Sequence, residues 1–250
     1  MAGRRRFLGV PVDPIDMART LELITGRLER GEPTAHLGIN AANLVAARDD
    51  ADYLADLEAA DLVTADGQSV VWGARLLGVP LPERVTGIDL MGRLLQIARD
   101  RGWSVYLLGA RPSVVARLAE RLASSGVPIA GYRDGYLAAE GWPAAAEAVV
   151  ASGARILFVG MPSPAKERFV VGAARPAGVP LSVGVGGSFD VLAGMVRRAP
   201  RWMQRAGLEW LFRLAQEPRR LAGRYLVTNT RFGWLLAASA LGRRRARRSR

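Results

Sequence analysis

Cysteine is absent from this 250-residue chain, and histidine occurs once, as His36. Without cysteine there is no disulfide, no thiolate nucleophile and no thiolate metal site. One histidine builds neither a histidine-based metal centre nor a relay of two imidazoles. Lysine is nearly missing as well. Lys166 is the single lysine among 35 basic residues, a bias that fits arginine-rich codon usage. No stretch reaches the roughly 20 apolar residues that a spanning helix requires. The opening MAGRRRFLGVPVDPID starts like a secretory leader, but Pro11 and Asp13 interrupt its apolar run. The chain is therefore expected on the cytoplasmic side, with any chemistry resting on carboxylates, hydroxyls, amides and guanidinium groups.

What is present describes a globular protein: 50% hydrophobic and 23% charged residues, with enough length for a sizeable core. The formal charge is +12, of which Arg4, Arg5 and Arg6 supply three and the arginines of 243–250 supply six. The basic character sits mainly in the tails, which argues against a broad nucleic-acid face. Strand signals at 7–12, 35–39, 62–64, 104–108, 129–130, 156–159 and 181–185 alternate with helical patterns, among them 14–30, 69–77, 87–101, 113–123 and 142–151. This order predicts an α/β fold: a Rossmann-like, mostly parallel sheet with helices on both faces and a helical C-terminal appendage. The expected division is a core over 1–195, an appendage rich in arginine and tryptophan over 196–242, and a basic disordered tail over 243–250.

In such a sheet, ligands meet the carboxyl ends of the strands. Asp66 follows the 62–64 strand and is read either as the N-cap of the next helix or as a crevice carboxylate. Asn40 ends the strand before it, as a turn former or a ligand. Arg84, in LPERVTG, reads as a solvated loop arginine when taken alone. Asp89 just after it is a helix-face residue or a ligand. Gly109 closes WSVYLLG ahead of a helix N-terminus that can hold a phosphate. Tyr136 in RDGYL is a core tyrosine or a base-stacking ring. Gly187 and Asp190 lie in and after GVGGSF, Asp190 either capping a helix or accepting from ribose hydroxyls. Asp50-Ala51-Asp52 has the letters of a cation site but sits on a solvated helix face, so no metal is expected. Downstream come Arg197, Arg198 and Arg201, then Arg213, Arg220 and Arg224. The last three share a stripe only if one helix runs through Pro218, which instead favours a new helix start.

The runs ADLVTADGQSVVWGARLLGVPLPERVTGIDL, GGSFDVLAG, RRAPRWMQRAGLEWLFRL and EPRR, with YLLGARPSVV and GYRDGYL, occur in a fixed order over residues 40–225. In these motifs the chain resembles the WecG/TagA/CpsF bacterial glycosyltransferases (glycosyltransferase family 26). The resemblance implies an inverting, metal-independent enzyme without cofactor. It would move a hexose or N-acetylhexosamine from a UDP-sugar to a polyprenyl-diphosphate-linked sugar at the inner face of the cytoplasmic membrane, alone or as a homo-oligomer, without nucleic acid. It casts Asp66 as the base and Arg84 as a catalytic cation. Asn40, Gly109, Tyr136, Lys166, Gly187 and Asp190 become donor contacts, and Arg213, Arg220 and Arg224 diphosphate contacts. Two positions depart from the family's pattern: Gly38 replaces a threonine, and Lys166 a glutamine.

Two other functions compete. A dinucleotide oxidoreductase is disfavoured because GVGGSF fails the G-x-G-x-x-G spacing: Phe189 stands where the last glycine would be. A non-catalytic basic protein binding membrane or nucleic acid explains the arginine tail but not the ordered motifs.

Overall fold

The computed structural model describes the backbone of residues 3–248. It also describes their side chains, apart from those of Arg205, Arg220, Leu221, Arg224 and residues 243–248. Six strands, β3 (Thr34–Ile39), β4 (Leu62–Ala65), β5 (Val105–Gly109), β6 (Ile129–Arg133), β7 (Ile156–Gly160) and β8 (Leu181–Gly184), form one sheet in the order β4-β3-β8-β7-β5-β6. Every neighbouring pair is parallel. The expected α/β, Rossmann-like sheet is thus observed.

The apolar runs of the strands feed two cores because successive side chains leave a strand on opposite faces. Val105 and Leu107 of β5, with Ile156 and Phe158 of β7, enter one core. That core is shared with α1 (Met17–Glu29), α5 (Gly87–Arg101), α6 (Pro112–Ser124) and α9 (Ser188–Leu192). Tyr106, Leu108, Leu157 and Val159 enter the other. They pack there with α2 (Ala41–Asp49), α3 (Ala51–Ala59), α4 (Gln68–Leu76), α7 (Trp142–Ala151) and α8 (Ala165–Phe169). Burial on both faces is why these strands read as continuous apolar runs without alternation.

The single strand expected over 7–12 is instead a hairpin, β1 (Arg5–Phe7) and β2 (Val10–Val12), paired antiparallel. Leu8 and Gly9 turn the chain with φ of 52° and 90°, the left-handed pair that a tight hairpin needs.

After β8 the described chain is helical: α10 (Arg201–Arg205), α11 (Glu209–Gln216) and α12 (Pro218–Arg248). Pro218 starts α12, so Arg213 lies on a different helix from Arg220 and Arg224, and the three share no stripe. The side chains of Arg220 and Arg224 lie outside the described residues. The backbone of α12 continues through 243–248, where a disordered tail is expected. Arginine is a good helix former, so the basic run does not itself stop the helix.

The apolar run of α12 packs partly on the protein itself. Phe232 is buried and meets Phe7 edge-on at 6.5 Å between ring centroids, while Leu235, Leu236 and Ala240 pack against the same core. Gly73 in α4 makes room for this: a Cβ there would stand 2.8 Å from Leu236 Cδ2. Phe232→Ala should cost about 3 kcal/mol, as for other buried aromatic truncations, and speed proteolysis within α12. An unchanged denaturant midpoint would mean that this helix contributes no packing energy.

Candidate functional site

The carboxyl ends of β3, β4 and β8 converge on Asp66. It does not cap the helix that follows it, since Gly67 holds the N-cap position of α4 without a side-chain bond. Asp66 Oδ1 instead accepts from the Gly87 N–H at 3.2 Å, at the start of α5. It lies close over β3: a Cβ at Gly38 would stand 3.3 Å from Asp66 Cβ. Asp66 is half-buried by area, yet protein surrounds it on nearly every side. Burial accordingly raises its pKa, opposed by Lys166, by the Gly87 N–H and by Arg213, while Glu209 pushes in the same direction as burial.

Asn40 stands beside this carboxylate, its Cβ 3.3 Å from the place a Cβ at Gly67 would take. The capping role is the one observed: Asn40 Oδ1 accepts from the N–H groups of Ala42 and Asn43, and Asn43 Oδ1 accepts from the Asn40 N–H. Lys166, 8% exposed, donates to Glu167 Oε1 at 3.1 Å. Glu167 is fully buried, and the same oxygen accepts from Ser163 at 2.8 Å, Tyr53 at 3.0 Å and Asn43 at 3.4 Å. Burial, then the neighbouring Glu167 charge, drives the Tyr53 pKa upward and keeps the phenol protonated. His36, also buried, bonds Thr64 Oγ1 at 3.0 Å, and burial followed by the Lys166 charge lowers its pKa to about 3, so it stays neutral.

Arg213 completes the cluster from α11, its guanidinium 3.8 Å from where a Cβ at Gly187 would stand. Arg84 reaches the same helix, donating to Glu209 Oε2 at 2.6 Å, so it is a partnered cation and not a solvated loop arginine. Arg198 donates to Glu209 Oε1 at 3.2 Å and, through two nitrogens, to Asp89 at 2.6 and 2.7 Å. Asp89 is therefore an anchor for Arg198. Burial alone would raise its pKa, but the bonds from Arg198 and Thr86 outweigh that and hold it below the usual range. Arg198 has its guanidinium committed to two carboxylates.

Other candidates lie elsewhere on the edge. Gly109, with φ of 138°, is a crowding glycine: a Cβ there would fall 2.5 Å from the Gly160 backbone. The turn at Gly135 closes over it, with a Cβ at Gly135 only 3.0 Å from Gly109 Cα. Tyr136 is 75% exposed beyond β6, so it is no core residue. Asp190 lies in the first turn of the short α9, and its carbonyl accepts from the N–H groups of Met195 and Val196. Asp50 N-caps α3 through a bond to the Tyr53 N–H and pairs with Arg168 at 3.3 Å. A hollow of about 570 Å³ between α7 and the 172–177 turn offers Glu147 as its one ionisable lining residue.

The profile of the Glycosyl transferase WecG/TagA/CpsF family matches residues 5–246, nearly the whole chain. The chain belongs to that family. Membership makes it a glycosyltransferase of cell-surface polysaccharide assembly. No described helix is long and apolar enough to cross a membrane.

Sequence reading found Asp66, Arg84, Lys166 and Arg213 but missed Glu209, Arg198 as a clamp, and the Asn43–Tyr53–Ser163–Glu167 hub. Glu209 is one of two acids, with Glu217, among the many arginines of 196–224, the one signal that could have flagged it.

A carboxyl whose pKa is raised in the folded state binds its proton more readily folded than unfolded, so its ionised form costs stability at neutral pH. That cost disappears as pH falls through the raised value towards the ordinary range near ~3.9. Asp66→Asn should therefore raise the Tm at pH 7, with the gain vanishing below about pH 4. A lower Tm at pH 7 would contradict this.

Proposed function

We propose that this glycosyltransferase is inverting and metal-independent, and that it moves a hexose or N-acetylhexosamine from a UDP-sugar to a polyprenyl-diphosphate-linked sugar. The observation that carries this is Asp66: a half-buried carboxylate at the strand ends, bonded by a backbone N–H and faced by cations. In the reaction an acceptor hydroxyl oxygen attacks the anomeric carbon and forms the new C–O bond. Its proton passes to Asp66, and the bond to the diphosphate breaks on the opposite face, releasing UDP. Raising a carboxyl's proton affinity suits it to accept that proton. Arg213 beside Gly187, and Arg84 oriented by Glu209, are the cations proposed for the departing diphosphate. Arg220 and Arg224 join them by resemblance. Asn40, Gly109, Tyr136, Gly187 and Asp190 are proposed along the donor, Tyr136 offering an exposed ring for stacking on uracil. Arginines take the place of a metal ion here, since Asp50 is engaged as a helix cap and ion-pair partner.

Asp66→Asn should keep UDP affinity and lower sugar transfer by about 10²–10⁴-fold, measured in EDTA with a panel of UDP-sugars and a short-chain lipid-linked acceptor. Native turnover in the variant would remove Asp66 from the chemistry, and loss of native activity in EDTA, restored by magnesium or manganese, would end the metal-independent reading.

The acceptor's lipid remains in the bilayer, so the enzyme has to come to it. Val227, Trp234 and Leu241 are exposed at seven-residue intervals along α12, which places them on one stripe. Phe232 and Leu236 face the core from the other side. An apolar stripe running into an arginine cluster suits an interface with anionic lipid, where each basic residue adds about 1 kcal/mol. Trp234→Glu with Leu241→Glu should abolish co-sedimentation with anionic vesicles at moderate salt while leaving UDP binding intact. Equal sedimentation by both proteins would sink the docking idea.

A further inference from the structure

Glu209, at the start of α11, uses both of its carboxylate oxygens. Oε2 accepts from Arg84 at 2.6 Å, and Oε1 accepts from Arg198 Nε at 3.2 Å. Arg198 places its other two nitrogens on the two oxygens of Asp89, at 2.6 and 2.7 Å. Asp89 Oδ2 also accepts from the Thr86 hydroxyl at 2.5 Å, while Thr86 N-caps α5 by accepting from the Asp89 N–H at 3.2 Å. The next residue, Gly87, is the one whose N–H donates to Asp66 Oδ1. The first turn of α5 is thus a fixed point shared by Asp66 and, through Asp89, Arg198 and Glu209, by Arg84.

A long side chain such as Arg84 gives up its rotamer freedom only where something holds it. Glu209 holds it, but a carboxylate with one partner would carry its own freedom into the contact. Arg198 removes that freedom. Two parallel bonds to Asp89 set the plane of its guanidinium, and the Nε–H in the same plane then sets where Glu209 Oε1 lies. The side chains of Arg84, Glu209 and Arg198 are 17%, 23% and 25% exposed, so these pairs are partly shielded from the solvent that weakens ion pairs at an open surface.

We propose that Arg198 is a positioning residue for Arg84: by gripping Asp89 and Glu209 together, it holds Glu209 where that carboxylate aims the Arg84 guanidinium at the departing diphosphate. This rests on the reading of Arg84 as a cation for that leaving group. Arg198 acts on the reaction without touching substrate, unlike the other arginines assigned to the diphosphate. It also keeps Arg84 in register with Asp66, because both are tied to the same turn of α5.

The test is steady-state transfer with the UDP-sugar and short-chain lipid-linked acceptor that the native enzyme turns over, with calorimetric titration of UDP and circular dichroism on each variant. Arg198→Ala should lower kcat by about 10–10²-fold, the scale of lost alignment remote from the chemistry. UDP affinity should stay within about threefold of native, since an interaction made only in the transition state is lost from kcat. Arg198→Lys keeps the charge but not the fork. It should move kcat in the same direction, and it supplies the measurement should the alanine variant not fold. In an Arg84→Ala background, either Arg198 variant should cost less than about threefold more in kcat, because residues that act as a unit are not additive. Native kcat in a folded Arg198 variant overturns the proposal, and so does a full, additive loss in the Arg84→Ala background. A fall in UDP affinity of about tenfold or more on removing Arg198 also overturns it, making Arg198 a ground-state diphosphate contact. Failure of the underlying reading shows separately: native kcat in Arg84→Ala removes Arg84 from the reaction and this inference with it, whereas native kcat confined to the Arg198 variants removes the inference alone.

Discussion

One oxygen of Glu167 gathers four donors, from Lys166, Ser163, Tyr53 and Asn43. They come from α8, the loop before it, α3 and α2, so this buried carboxylate joins everything that follows β3 to everything that follows β7. Buried charge is tolerated only where it is paired and hydrogen-bonded. Here that requirement fixes geometry: Asn43 is held between Glu167 and the Asn40 cap, and Lys166 is fixed across the end of β8. The strand ends can then present Asp66 on a floor that does not shift.

A second set of ion pairs fastens the helices that follow the sheet. Arg198 grips Asp89 with two nitrogens and Glu209 with a third, and Glu209 also takes Arg84. The fork of a guanidinium suits such a double grip in a way an ammonium does not. The result brings α11, and with it Arg213, over the crevice. Arg198 is thus spoken for before any substrate arrives. Through Arg198, charge pairing ties α11 to the start of α5.

The fold was legible because parallel strands buried on both faces leave continuous apolar runs, and the helices between them have clear stops. Gly87–Arg101 and Trp142–Ala151 begin and end where the pattern says. The hairpin was lost because a two-residue turn at Leu8 and Gly9 looks like strand when leucine stands in it; a left-handed φ is rare for such a residue. Asp66 was legible as the residue after a strand, but its partner was not, since Gly87 lies 21 residues on and donates from the backbone. Asp89 and Arg198 are separated by 109 residues, and Glu167 and Asn43 by 124. Periodicity describes neighbours along the chain, and these pairs are neighbours only through the sheet. Tyr136 and Gly109 gained a structural context that the sequence did not show, the one as a solvent-exposed ring and the other in close packing against Gly160.

The two positions where this chain departs from the pattern it resembles, Gly38 and Lys166, lie against different carboxylates, Asp66 and Glu167 respectively. Gly38 leaves β3 without a Cβ where Asp66 lies against it, so Asp66 can settle deeper than a branched side chain would allow. Deeper burial penalises the charged form, and a hydroxyl that might have solvated it is absent. Lys166 supplies the opposite bias from the other side, a charge in place of a neutral amide. The departures are of opposite sign in their effect on Asp66, one promoting its protonation and the other opposing it.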